Sequence, residues 1–359
     1  MNPLDDMTKI HSVDRCHMLA LIENFSDQIA QAEKIGNAVS LDSSFSKGMT
    51  HIVFSGLGGS AIGADLVRSY LSYDVPIPMF VNRHYRLPAH VDEKTLLVVS
   101  SYSGSTEETL ASLEEGIRKK AKILAISSGG ELSEHARRRG FPLIKIPGGF
   151  PPRAALGYSV FPLLVALSKI GFPKAYRAKD VLETRELVRS LSQSSYGPSC
   201  PHDKNMAKQF ASSCFEGYPV IYGSTDFFDV VALRWRGQFS ENAKCLASHH
   251  VLPEMNHNEL VGWKKPESLL KKVTVFILRD QADHPRVQKR MDLTREIIRP
   301  LAGHVFEVRS QGESLLARIF SLVHLGDWIS FYLAVLNGVD PTPVEVIQHL
   351  KSELAKESV

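Results

Sequence analysis

Apolar residues fall into two rhythms along this chain. Short runs at 51–55 (HIVFS), 78–82 (PMFVN), 96–100 (LLVVS), 122–126 (KILAI) and 143–146 (LIKI) are continuous and rich in β-branched residues, as in buried parallel strands. Between most of them, at 60–72, 105–119 and 131–139, apolar positions recur at helical spacing. Ahead of the first strand, Met18, Leu19, Ile22, Phe25, Ile29, Ala32 and Ile35 predict one opening helix over 14–36. A further helix over 159–170 follows the Pro- and Gly-rich segment 147–157. Residues 190–204 (SLSQSSYGPSCPHDK) lose periodicity and mark a joint. The rhythm then resumes. Strands are expected at 218–223, 246–251, 273–278 and 305–309, helices near 226–244, 285–299 and 314–336, and a short amphipathic helix over 343–354. This alternation predicts an α/β protein of two doubly wound domains, residues 1–190 and 191–359, each a mainly parallel sheet flanked by helices.

A chain of 359 residues suits two cores better than one. With 43% hydrophobic and 23% charged residues and a net charge of +3, nothing asks for a nucleic acid or an anionic membrane as partner. Cys16, Cys200, Cys214 and Cys245 are scattered without a CxxC spacing, which suits free thiols in a reducing cytoplasm. The start, MNPLDDMTKI, carries acids where a signal peptide has a basic region and an apolar core. Lys169, and then His324 and Asp327, interrupt the longest apolar stretches. The expected location is the cytoplasm.

Candidate chemistry concentrates after two strands. Leu96–Val99 runs into Ser100, Ser101, Ser103, Gly104, Ser105 and Thr106, and Glu107 and Glu108 then open a helix. A strand ending in hydroxyls and feeding a helix presents free N–H groups to an anion. Without Lys or Arg in the loop, the match is to one phosphate monoester rather than to a nucleotide's polyphosphate. A ligand-free helix cap fits the same spacing. After the first strand, Gly56, Gly58 and Ala61 satisfy the dinucleotide fingerprint G-x-G-x-x-A. The acid expected at the end of the second strand is replaced by Asn82-Arg83, so NADP stays open through Arg83. Alternatively the glycines let backbone approach a sugar, with Ser60 adding a hydroxyl. There is no HExxH, the fourteen His show no ligand spacing, and His249-His250 reads as a strand end.

Taken together, GLGGSAIGAD (56–65), SYSGSTEET (101–109), PPRAALGYS (151–159), SENAK (240–244), NHNE (256–259) and DPTPVEVIQHLK (340–351) resemble the bifunctional phosphoglucose/phosphomannose isomerase family, built on the sugar-isomerase (SIS) fold. Ser105 and Ala64 stand where that family typically has Asn and Gly. The resemblance implies a sugar-phosphate substrate, no cofactor, no metal, and a homodimer with shared active sites. It makes Gly59, Ser60, Ser101, Ser103 and Thr106 the phosphate and sugar cradle. It gives Arg153 the charge of the intermediate, Glu241 the catalytic base, and His257, arriving from the second subunit, ring opening. Lys351 matches a lysine near the ring oxygen, and Thr342 a threonine that leaves room for both C2 epimers.

The implied chemistry suits these residue types. Aldose–ketose isomerisation needs a base for the proton moved between C2 and C1, a fixed positive charge beside the enediolate, and an acid–base pair at the ring oxygen. Without the resemblance, Glu241 reads as a solvated helical acid, His257 as a turn residue, Arg153 as a snorkelling charge and Lys351 as a surface lysine. Trp235 and Trp263 read as core or interface. Rival functions are a non-catalytic sugar-phosphate sensor, an NADP-dependent oxidoreductase, and an isomerase of amino-sugar or pentose phosphates.

Overall fold

The computed structural model describes residues 2–356. It opens with a helix the pattern did not predict, α1 (Met7–Val13), and the single helix expected over 14–36 is two, α2 (Met18–Glu23) and α3 (Phe25–Ala38). The break falls at Asn24, whose backbone N–H and side-chain Nδ2 both donate to the Ala20 carbonyl, at 3.1 and 2.8 Å, and the late start of α2 has its own local cause. Asp14 accepts hydrogen bonds from the backbone N–H groups of Met18 and Leu19 at 2.7 and 2.8 Å. His17 meanwhile sits at φ 61°, a left-handed turn that no α-helix continues through.

The first sheet is built from β1 (His51–Ser55), α4 (Gly58–Leu71), β2 (Met79–Asn82), β3 (Thr95–Ser100), α5 (Glu107–Arg118), β4 (Lys122–Ser127), α6 (Gly130–Arg139) and β5 (Leu143–Lys145). All five strands are parallel, in the order β2-β1-β3-β4-β5, and every residue of β3 is buried. Strand order reverses between β1 and β3, so the loops leaving these two strands splay apart and open a crevice at their carboxyl ends.

A 3-10 turn (Pro152–Ala154) leads into α7 (Leu156–Lys169), α8 (Ala178–Leu191), a π-helical turn (Ser192–Tyr196) and α9 (Met206–Cys214). The pattern reading missed α8 and α9. Helix α8 buries only Val181, Thr184, Val188 and Leu191, too thin a stripe among charges to stand out.

The second sheet comprises β6 (Tyr218–Ser224), α10 (Asp229–Glu241), β7 (Ser248–Leu252), the short helices α11 (Glu259–Gly262) and α12 (Glu267–Leu270), β8 (Val273–Arg279), α13 (Pro285–Ile298) and β9 (His304–Arg309). It too is all parallel, in the order β7-β6-β8-β9, so the doubly wound expectation holds in both halves. Strand β7 starts at Ser248, two residues later than expected, because Lys244 takes a left-handed φ of 54° and Leu246 points into solvent.

Helix α14 (Leu315–Asn337) joins the halves by packing against α8, α9 and α10. It is long and apolar enough to cross a membrane, yet 94% of its most apolar window is buried inside the fold. The last helix, α15 (Glu345–Leu354), buries none of its residues.

Candidate active site

The glycines after β1 serve close packing of backbone. A Cβ on Gly56 would lie 2.7 Å from the carbonyl oxygen of Ser100, and one on Gly59 would lie 2.6 Å from that of Pro152. Gly58 has φ +50°, a conformation that L side chains rarely adopt. The start of α4 is thereby wedged between the end of β3 and the turn that carries Arg153. Arg83, the residue suited to a 2′-phosphate, is instead paired with the buried carboxylate of Asp65.

The hydroxyl turn lies at the adjacent strand end. Ser101 Oγ and Thr106 Oγ1 are hydrogen-bonded at 2.8 Å, and Ser101 Oγ accepts the Gly104 N–H at 3.1 Å. Thr106 is the N-cap of α5 but makes no side-chain bond to the helix among the described residues; its carbonyl accepts from Thr109 and Leu110, which leaves the N–H groups of Glu107 and Glu108 for another acceptor. Ser60 and Ser101 are buried, Thr106 is half-buried, and Ser103 is exposed at the tip.

Arg153 is almost fully enclosed, at 3% exposure. Its Nε donates to Asn242 Oδ1 at 2.6 Å, and its Nη2 donates to the carbonyl oxygens of Pro341 and Thr342 at 2.5 and 2.9 Å. Its Nη1 stands 3.5 Å from Glu241 Oε2. Burial draws the guanidinium's pKa below its ordinary value, and the Glu241 carboxylate pulls it back up. Glu241 is the last residue of α10, so its side chain is only half-covered.

Glu241 borders two cavities. One, of about 200 Å³, is lined by Gly58, Gly59, Arg153, Gln238 and Glu241 among others. The other, of about 680 Å³, lies against Ser240, Lys244, Asp340 and the first turn of α15. Among the predicted site residues, Gly59, Arg153, Glu241 and Thr342 are therefore brought together. Thr342 contributes its carbonyl to Arg153, while its buried hydroxyl finds no partner among the described residues. The hydroxyl turn at 101–106 adjoins this group through Gly56 but does not line the smaller cavity.

Two candidates stand apart within the single chain. His257 is exposed at the end of a 3-10 turn after β7, and Lys351 lies on the exposed surface of α15. Neither lines a cavity that Glu241 lines. The turn bearing His257 is anchored by buried Met255 and by Asn256 Nδ2, which donates to Thr294 Oγ1 at 2.8 Å, and the helix after it by Tyr222, which accepts from Trp263 Nε1 at 2.9 Å and donates to Glu259. Trp235 is likewise core, its indole N–H bonded to the Leu322 carbonyl at 2.8 Å. His249 and His250 lie inside β7 as strand residues, and burial pushes the His249 imidazole down to about 4.

Sequence reasoning missed the polar layer behind Arg153. Asp327 accepts from Arg234 Nη2 through both carboxylate oxygens, each at 2.9 Å, and from Gln238 Nε2 at 2.7 Å. Arg234 Nη2 also donates to the Arg153 carbonyl at 3.2 Å. The available signal was Asp327 itself, a carboxylate inside an apolar helix, where a buried charge needs a partner. A buried guanidinium anchored on two sides, with one edge turned to a carboxylate beside a cavity, sets a fixed positive charge next to a group that can act as a base.

The architecture is shared with known proteins. A glucose-6-phosphate isomerase-like protein from Thermus thermophilus superposes with a TM-score of 0.63 over 97% of this chain and 100% of its own, at 18% identity. Residues 203–354 match the model of the bacterial phospho-glucose isomerase C-terminal SIS domain. The sequence is 43% identical to the bifunctional phosphoglucose/phosphomannose isomerase of Caldicellulosiruptor bescii, over 94% of this chain and 99% of that one. It is 39% identical to the protein of the same name in Aquifex aeolicus, over 85% of this chain and 90% of that one. The fold is that of the SIS phosphosugar proteins. Within it, the chain belongs to the bifunctional phosphoglucose/phosphomannose isomerase family.

Proposed function

We propose that this protein interconverts glucose 6-phosphate, and also mannose 6-phosphate, with fructose 6-phosphate. The observation that carries the reading is the approach of Arg153 Nη1 to Glu241 Oε2 at 3.5 Å beside a cavity that reaches Gly59. Family membership supports the substrate class.

In the proposed reaction the phosphate is held by Ser60, Ser101, Ser103 and Thr106 and by free N–H groups at the start of α5, with Gly59 allowing the sugar to come close. The Glu241 carboxylate removes the C2 proton of the open-chain aldose and returns it to C1, while the hydroxyl proton passes between the two oxygens. The enediolate formed between these steps carries negative charge opposite Arg153, whose permanent charge needs no reorganisation. The conversion is redox-neutral within one molecule, so its chemistry calls for neither a hydride acceptor nor a metal.

Ring opening falls to His257 and Lys351. Because His257 is exposed and apart from Glu241, we assign it to the site of a second copy, giving a homodimer with shared active sites. We assign the phosphate cradle to an N-terminal SIS unit (residues 1–190) and Glu241 to a C-terminal one (residues 191–359). The test is purified protein in EDTA offered glucose 6-phosphate and mannose 6-phosphate separately. Fructose 6-phosphate from both is expected; binding of either sugar without turnover would make the protein a sensor.

A further inference from the structure

The residue after Glu241 is enclosed and bonded at both ends of its side chain. Asn242 is fully buried. Its Oδ1 accepts from Arg153 Nε at 2.6 Å, and its Nδ2 donates to Ser330 Oγ at 3.0 Å. Arginine has only donors, so the amide is held one way round, with its oxygen toward Arg153. Ser330 Oγ in turn donates to the backbone carbonyl of Asp327 at 2.9 Å. Asp327 is the residue whose carboxylate binds the Arg234 that supports the Arg153 backbone. One helix, α14, thus steadies both the guanidinium and the main chain of Arg153.

A guanidinium has five N–H donors. Asn242 takes the one on Nε, and two carbonyls take those on Nη2. Nη1 alone is left toward Glu241, and 3.5 Å is too long for a strong charge-assisted bond, so that edge remains free for a ligand oxygen. The chemical identity of residue 242 also matters. An aspartate there would make the same bond to Nε but would cancel the positive charge beside the reacting carbons. The amide holds the arginine and leaves its charge intact.

We infer that Asn242 is the positioning residue of Arg153, aiming Nη1 at the enediolate oxygens without neutralising the guanidinium. The inference rests on the isomerase reading given above. Asn242→Asp keeps the shape and the bond to Arg153 Nε, gives up the donor to Ser330 and adds the charge, so its kcat falls about 10²-fold, in the range of losing one preorganised donor. Its KM for glucose 6-phosphate changes less than about threefold, because the ground-state sugar is neutral at C1 and C2. Affinity for a five-carbon aldonate 5-phosphate, whose carboxylate mimics the enediolate, weakens in step with kcat.

Ser330→Ala, which frees the far end of the amide, shifts kcat and mimic affinity in the same direction by a smaller factor; Ser330→Thr, which keeps the hydroxyl, restores both. The serine pair decides the matter if Asn242→Asp does not fold. A wild-type protein without turnover would sink the isomerase reading itself. An active wild type would overturn the inference alone if Asn242→Asp matched it, or if kcat and KM worsened together with mimic affinity unchanged.

Discussion

Gly59 and Pro152 are in backbone contact: a Cβ on Gly59 would sit 2.6 Å from the Pro152 carbonyl oxygen. Real Cβ atoms do not come this close, and a carbonyl cannot swing aside as the end of a long side chain can. Gly59→Ala must therefore displace the turn that presents Arg153. The expected result is a kcat lowered by about 10²-fold, the scale of a misplacement approaching 1 Å, with a stability loss of about 1–3 kcal/mol from overpacking. Steady-state kinetics and urea unfolding on the same preparation measure both.

A shared site has a signature in mixed dimers. His257→Ala and Glu241→Gln are each inactive alone on the proposed reading. If His257 serves the other subunit, a heterodimer of the two variants combines one intact Glu241 with one intact His257 and regains one working site. Activity should return on mixing once subunit exchange is verified. No recovery would show that both residues act within one chain.

A buried histidine predicts the acid side of the stability curve. His324 Nε2 accepts the Trp328 indole N–H at 3.0 Å and bonds Ser192 Oγ at 2.7 Å, while its buried Nδ1 has no partner among the described residues. An indole only donates, so Nε2 carries no proton and the ring is neutral. Burial, with a smaller push from Arg234, lowers its pKa to about 3 from the usual 6.5. The unfolded chain takes up this proton near pH 6.5 and the folded chain does not until about pH 3. Stability from His324 is thus complete above pH 6.5 and is lost as pH falls through that window. His249 acts in the same sense; Asp229, raised to about 6, acts in the opposite one. The clean readout is the difference between wild type and His324→Gln, whose amide oxygen can still accept from Trp328. That difference should change by ~1 kcal/mol per pH unit between pH 6 and pH 4.5 in urea titrations.

Much of the fold was legible because β3, β6 and β8 are buried on both faces and so appear as continuous apolar runs, which need no knowledge of their partners. The opening helix was misread because the turn at Asp14 and His17 delays its start and Asn24 divides it, neither disturbing the apolar spacing. Helix α8 was lost because its stripe is thin. Both failures are of one kind: the decisive event is a cap or a tertiary contact, and periodicity does not record either.

The site divides in the same way. Arg153 and Glu241 stand in quotable motifs, yet their 3.5 Å approach joins residues 88 positions apart and exists only in the folded chain. The glycine fingerprint was legible as a tight strand–helix turn; that Gly59 seats the Arg153 turn was not. Asn242 lay in plain view within SENAK, but an amide's role depends on the buried Ser330 and Arg153 that it bridges.

The central claim is that the Glu241 carboxylate carries hydrogen between neighbouring carbons of a sugar phosphate. Glucose 6-phosphate incubated in D₂O with EDTA, followed by NMR, tests it directly with wild type beside Glu241→Gln. Wild type should form fructose 6-phosphate with deuterium entering at C1, and Glu241→Gln should slow both events by about 10²- to 10⁴-fold while still binding the sugar. Undiminished conversion and exchange in Glu241→Gln would contradict the account.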